Sequence, residues 1–154
     1  MHATVRRFVE EAERRYDLSP DVREFDEGTR TAADAAAAVG CEVAQIASSI
    51  VMEADDDLVV VVTSGANRVD EERVADAVGA TSVEMADPDA VAETIGWSIG
   101  GVPPVCHETA VPTLFDETLL EYDTVWAAAG TPDAVWPVDP DRLLDLADAR
   151  PLAF

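Results

Sequence analysis

Apolar residues change period several times along the chain, and each change marks an element. Val5, Phe8, Val9, Ala12 and Tyr16 recur at helical spacing behind Thr4, which can cap the helix, while Glu and Arg take the opposite face. Ser19-Pro20 ends that helix, and residues 21–25 follow as a short strand. Thr31-Ala32-Ala33-Asp34 reads as a variant capping box with Asp in place of Glu or Gln. It opens an alanine-rich helix that Gly40 closes, and its small side chains suit close packing on a sheet. Residues 45–52 then alternate: Ile46, Ser48, Ile50 and Met52 share one face, Ala47, Ser49 and Val51 the other. Beyond the acidic turn Asp55-Asp56-Asp57, the unbroken β-branched run of residues 58–62 predicts a central strand covered on both faces.

Asp70 caps a helix that runs to Val78 and stops at Gly79, with Val69 and Val74 spaced as a hydrophobic staple. Residues 81–85 are strand-like, and Asp87-Pro88 starts a helix reaching Gly96, the proline occupying the first helical position. From Trp97 the texture becomes a loop stiffened by prolines and freed by glycines. Strands follow at residues 111–115, 124–128 and 134–138, and Asp139-Pro140 begins a last helix through Leu146. Two successive helix, glycine, strand units echo each other without forming a repeat.

A length of 154 residues with 48% hydrophobic content predicts one α/β (α+β) domain spanning residues 1–154, the helix of residues 4–16 being an extension. Charge changes the picture more. Asp and Glu number 32 against 10 basic residues, a formal net charge of -22, and the carboxylates are spread over a chain that keeps its apolar periodicity. That pattern predicts a salt-adapted (halophilic) folded protein whose compact state is strained by self-repulsion in dilute buffer. All ten basic residues are arginines. Without lysine, Schiff-base, lysine-base and lysine phosphate-clamp chemistries are excluded. Two cysteines are too few for a disulfide framework. Arg6-Arg7 is followed by charged residues where a twin-arginine signal needs an apolar stretch, and no run has membrane-spanning length, so a cytoplasmic location is expected.

Gly100-Gly101-Val102-Pro103-Pro104 is the most unusual local sequence. Paired glycines admit positive φ and let backbone N–H groups approach a ligand, so the loop could cradle a carbonyl or ester oxygen. A tight helix-to-strand connection is the alternative. Cys106-His107 reads as a packed thiol beside a surface imidazole, and His2 is the only other histidine, so no zinc set assembles. Thr63-Ser64-Gly65 lacks the spacing and lysine of a P-loop. Trp97, Trp126 and Trp136 suit either core packing or stacking on a base or ribose. Carboxylates are too numerous for any pair to stand out.

Thr31-Ala32 with its helix and Gly40, Gln45-Ile46-Ala47-Ser48-Ser49-Ile50-Val51, residues 59–65, Arg68-Val69-Asp70, the Gly100 to Pro104 loop and residues 127–130, taken in order, resemble the YbaK/EbsC family from about Phe25 to Leu146. The resemblance implies a mixed, mostly antiparallel, curved sheet with surrounding helices, the fold of prolyl-tRNA synthetase editing domains. It implies a deacylase that hydrolyses mischarged aminoacyl-tRNA, especially tRNA for proline. Gly100 and Gly101 would be oxyanion donors and Ser48 a polar group of the pocket, with Thr31, Ser49, Val102, Pro104 and Gly130 contacting substrate. Water or a terminal ribose hydroxyl would assist ester cleavage. Ser48 stands where the family carries a characteristic lysine, Val135 near a position that is polar in relatives, and Cys106 where glycine is common. A non-catalytic small-molecule or aminoacyl-binding protein that has lost hydrolysis and a hydrolase of another small acyl or aminoacyl ester are therefore further readings. The expected partners are the acceptor end of tRNA, held weakly, and a small aminoacyl ester. Neither metal nor cofactor is expected, and neither DNA nor membrane.

Overall fold

The β-branched run lies where its burial demands. In the computed structural model, which describes residues 2–25 and 31–154, β2 (Ile46–Ala54) and β3 (Asp57–Ser64) form an antiparallel hairpin. Its turn residue Asp55 takes a left-handed conformation (φ 55°), which aspartate tolerates better than most side chains. Val60 and Val62 enter the main core cluster and Val59 and Val61 a second one on the other face. β3 is thus the central, doubly covered strand that its sequence predicts.

Around the hairpin stand β1 (Arg23–Glu24), β4 (Val83–Met85), β5 (Thr113–Asp116), β6 (Val125–Ala128), β7 (Ala134–Val138) and β8 (Arg150–Leu152). The sheet order is β1-β7-β6-β2-β3-β5-β8, with β4 added to β2. The pairs β1/β7, β2/β3, β2/β4 and β6/β7 are antiparallel, whereas β2/β6, β3/β5 and β5/β8 are parallel. The sheet is therefore mixed and mostly antiparallel, as expected. β8 escapes sequence reading because Arg-Pro-Leu has no strand-like alternation; its parallel pairing with β5 creates it.

Among the described residues five helices cover the sheet: α1 (Ala3–Tyr16), α2 (Ala32–Val39), α3 (Glu71–Val78), α4 (Pro88–Thr94) and α5 (Pro140–Leu146). The Thr31 hydroxyl caps α2 through the Asp34 N–H, and Asp70 caps α3 through Glu72 and Arg73, as their sequences predict. At α1 the cap differs: His2, two residues before Thr4, accepts the Thr4 N–H on its ring nitrogen. α1 is also no peripheral addition. Val5, Phe8 and Ala12 are fully buried, and Phe8 packs on Trp97 and Trp136 at centroid distances of 6.3 and 5.5 Å.

The edge of β2 away from β3 is shared between two short neighbours. β6 pairs with Ile46 and Ala47, and β4 pairs with Met52, Glu53 and Ala54. Between these neighbours the edge of β2 has no strand paired to it among the described residues, and the sheet splits there.

Candidate active site

A cavity of about 250 Å³ opens at the split. α2 supplies one wall, β6 and β7 another, and the glycine loop after α4 a third. Of the residues singled out in the sequence, Thr31, Ser48, Ser49, Gly100 and Val102 line it, whereas Gly101, Pro104 and Gly130 do not. Trp126 and Val135 also border it, as do Ile99 and Pro132, which carry no local sequence signal for the role. Among the described lining residues none is charged, and the polar side-chain groups are three hydroxyls and the Trp126 indole. The cavity falls just below the roughly 300–1,000 Å³ of pockets for drug-sized ligands, so it fits a small group.

The two loop glycines are glycines for different reasons. Gly100 has φ 93° and borders the cavity, a conformation that a Cβ strains. Gly101 is not in the left-handed region. A Cβ there would meet the Gly130 carbonyl oxygen at 2.5 Å and Thr131 Cα at 2.6 Å. Gly101 thus lets two backbone segments touch, and the Gly130 N–H donates to its carbonyl at 3.0 Å. Its own N–H donates to the Ser98 carbonyl at 3.1 Å. This corrects the expectation of two oxyanion donors: the Gly101 amide is already engaged, and Gly100 is the loop glycine whose N–H has no partner among the described residues. Gly130 (φ 105°) sits behind the loop, where a Cβ would come within 3.1 Å of both the Thr4 carbonyl and the Trp97 ring.

The rear of the loop is anchored to α1. Arg7 donates to the Gly96 carbonyl at 2.7 Å and stacks 4.0 Å above the Trp97 ring, and the Trp97 indole donates to the Cys106 carbonyl at 2.9 Å. The Cys106 N–H donates to the Tyr16 hydroxyl at 3.3 Å, and Arg15 donates to the His107 carbonyl at 3.1 Å. Cys106 itself has φ 67°, a left-handed conformation that favours glycine. Its thiol is buried and its pKa pushed up to about 11, so it is no nucleophile near neutral pH. His107 is not a surface imidazole as expected. It is buried, its Nε2–H donates to the Pro103 carbonyl at 2.8 Å, and burial lowers its pKa. Pro104, Cys106 and His107 border a separate cavity of about 180 Å³ on the far side of the loop.

Sequence reading missed a buried carboxylate. Asp116 is fully buried, and one of its oxygens accepts from the Ser64 N–H at 2.9 Å, Asn67 Nδ2 at 3.0 Å and the Thr63 hydroxyl at 3.3 Å. The other accepts from the Thr118 N–H at 3.0 Å. The Thr63-Ser64 turn, plain in sequence, is a donor cluster that locks β3 to the end of β5.

The mixed sheet, split at β2 over a small neutral cavity, is an α/β architecture shared with known proteins. A family model for the aminoacyl-tRNA editing domain matches residues 26–146. The crystal structure of a candidate trans-editing enzyme for prolyl tRNA synthetase is 40% identical, with a TM-score of 0.94 over 99% of this chain and 97% of that one. The uncharacterized protein YwhH of Bacillus subtilis is 28% identical over 133 residues, 84% of this chain and 83% of its own. The proline–tRNA ligase of Bacillus pumilus is 33% identical over 107 residues, 69% of this chain and only 19% of the ligase. The chain belongs to the aminoacyl-tRNA editing domain family, as its resemblance to the YbaK proteins implies.

Proposed function

We propose that the protein removes a wrongly attached amino acid from tRNA by hydrolysing the aminoacyl ester, with tRNA for proline as the charged partner. Family membership supports the reaction, and the observation that carries the site is the small neutral cavity bordered by Gly100 at the split in the sheet. The Gly100 N–H would hold the acyl oxygen and stabilise its developing charge. Ser48 offers a hydroxyl to the substrate, Thr31, Ser49 and Val102 shape the pocket, and Gly101, Gly130 and Pro104 hold the loop from behind. No titratable side chain lines the cavity among the described residues. Water adds to the acyl carbon, the bond to the ribose oxygen breaks, and the neighbouring ribose hydroxyl relays the proton to the leaving oxygen. A small or medium side chain fits the volume. The non-catalytic reading is not favoured, since both the family and the superimposed trans-editing structure point to hydrolysis.

The acidic surface opposes RNA, and molar salt suppresses the counterion release that drives most tRNA binding. Recognition is therefore weak and rests on the acceptor end, in a salt-rich cytoplasm. Purified protein in molar KCl, offered tRNAs charged with small and medium amino acids, is expected to release the amino acid from mischarged tRNA for proline well above the buffer rate. Binding of the charged acceptor end with no release from any of these tRNAs would return the non-catalytic reading.

A further inference from the structure

The split in the sheet leaves one residue unusually short of partners. In the β2/β3 hairpin, the Gly65 N–H donates to the Ile46 carbonyl, and the register pairs Ala47 with Ser64 and Ser49 with Val62. In an antiparallel ladder the hydrogen-bonded and non-bonded pairs alternate, so Ile46, Ser48, Ile50 and Met52 direct their N–H and C=O groups at β3. Ala47, Ser49 and Val51 direct theirs at the opposite edge. There Ala47 pairs with β6, and the Val51 carbonyl accepts from the Ala86 N–H. Ser49 faces the gap between them. Its N–H and C=O have no partner among the described residues, and its hydroxyl is buried with none either. Native structures rarely leave polar groups so unsatisfied without a use for them.

We propose that Ser49 is the subsite for the α-aminoacyl group, which docks as a one-residue antiparallel strand. A residue in a hydrogen-bonded antiparallel pair exchanges two bonds with the residue opposite, one from its N–H and one to its C=O. An aminoacyl ester carries the same pair of groups about one Cα: an ammonium that donates to the Ser49 carbonyl, and an acyl oxygen that accepts from the Ser49 N–H. The gap between β6 and β4 is one such position long, matching a single amino acid. The Ser49 amide then stands in for the second oxyanion donor that Gly101 cannot supply. Selection for the α-ammonium follows, independent of the side chain. Because no carboxylate lines the cavity among the described residues, a backbone carbonyl is the group that reads this charge.

This inference rests on the deacylase reading, and the test separates the two. One tRNA is charged with an α-amino acid and, separately, with the desamino acid of the same carbon skeleton, and each enzymatic rate in molar KCl is divided by its spontaneous rate. Loss of the charge-assisted bond should lower the corrected kcat/KM for the desamino ester roughly 10- to 100-fold. Equal corrected rates overturn the subsite and leave the deacylase standing. Compared with Ser49→Ala, which removes the hydroxyl alone, Ser49→Pro also removes the N–H that faces the gap, a placement that strand edges tolerate, and should slow both esters by roughly a further 100-fold. Undiminished rates in that variant overturn the role of the amide; if it fails to fold by circular dichroism, the comparison of the two esters decides. If neither ester is cleaved, the deacylase reading falls, and binding of the non-hydrolysable 3′-aminoacylamido-adenosine against its desamino analogue decides the subsite by calorimetry. At least tenfold tighter binding of the amine supports it, and equal or absent binding overturns it.

Discussion

Gly101→Ala is the sharpest probe of how the loop is held. The added methyl would stand 2.5 Å from the Gly130 carbonyl oxygen and 2.6 Å from Thr131 Cα, both backbone atoms that cannot swing aside. Restoring ordinary van der Waals contact requires the two segments to part, which breaks the 3.0 Å bond from the Gly130 N–H to the Gly101 carbonyl. Overpacking costs about 1–3 kcal/mol and the lost bond about 1 kcal/mol, together about 2–4 kcal/mol. For a chain of this length that lowers Tm by roughly 5–15 °C. Displacing Gly100 by about 1 Å should also cost up to about 100-fold in deacylation rate, because reacting groups tolerate little misplacement. Gly40→Ala is the control: its φ is 79°, but nothing lies within 4 Å of the added methyl. It therefore carries backbone strain alone, about 1 kcal/mol. Thermal melts and single-turnover deacylation in molar KCl measure both variants. A Gly101→Ala protein that melts with Gly40→Ala and keeps its rate would refute the argument from close approach.

Asp116→Ala should destabilise by about 3 kcal/mol or more, since the Ser64 N–H, Asn67 and Thr63 donors lose their buried acceptor; a denaturant midpoint within error of the parent would contradict this. The lowered pKa of His107 means that the unfolded chain binds a proton below about pH 6.5 that the folded chain resists, so stability falls as pH drops from about 7.5 toward about 5.5. His107→Gln should flatten that slope in urea titrations, and an unchanged slope would exclude His107 as its source. Lowering KCl from about 1 M to about 0.1 M lengthens the Debye distance from about 3 Å to about 10 Å. A net charge of -22 is then exposed to itself. The ion pairs on α1, β1 and α3 involve exposed or partly exposed side chains and offset little of that repulsion, so the circular dichroism signal should be lost on dialysis; a constant melting temperature would refute the salt-adapted reading.

Much of the architecture was legible in residue order because it is local. Period and caps located α2, α3 and α5, continuous β-branching marked β3 as central, and the order of motifs pointed to the editing family. The resemblance also brought Thr31, Ser48, Ser49, Gly100 and Val102 together, and all five border one cavity. What failed was whatever depends on a second segment. Gly100 and Gly101 are indistinguishable as letters, yet one is a glycine for its φ and the other for the Gly130 backbone, which is distant in sequence. His107 looked exposed because nothing nearby in sequence buries it; the fold does, and Arg15 and Pro103 fix its place. Asp116 was one carboxylate among 32 until β3 and the turn after it brought three donors. The helix of residues 3–16 carried its own amphipathic pattern, but only packing could reveal that its apolar face closes the core behind the loop. The unpaired edge at Ser49 belongs to no residue's chemistry at all. It arises because β6 and β4 stop short of each other along β2, and hydrogen-bond partners across a sheet are chosen by register between distant segments, which residue order in any one of them does not encode.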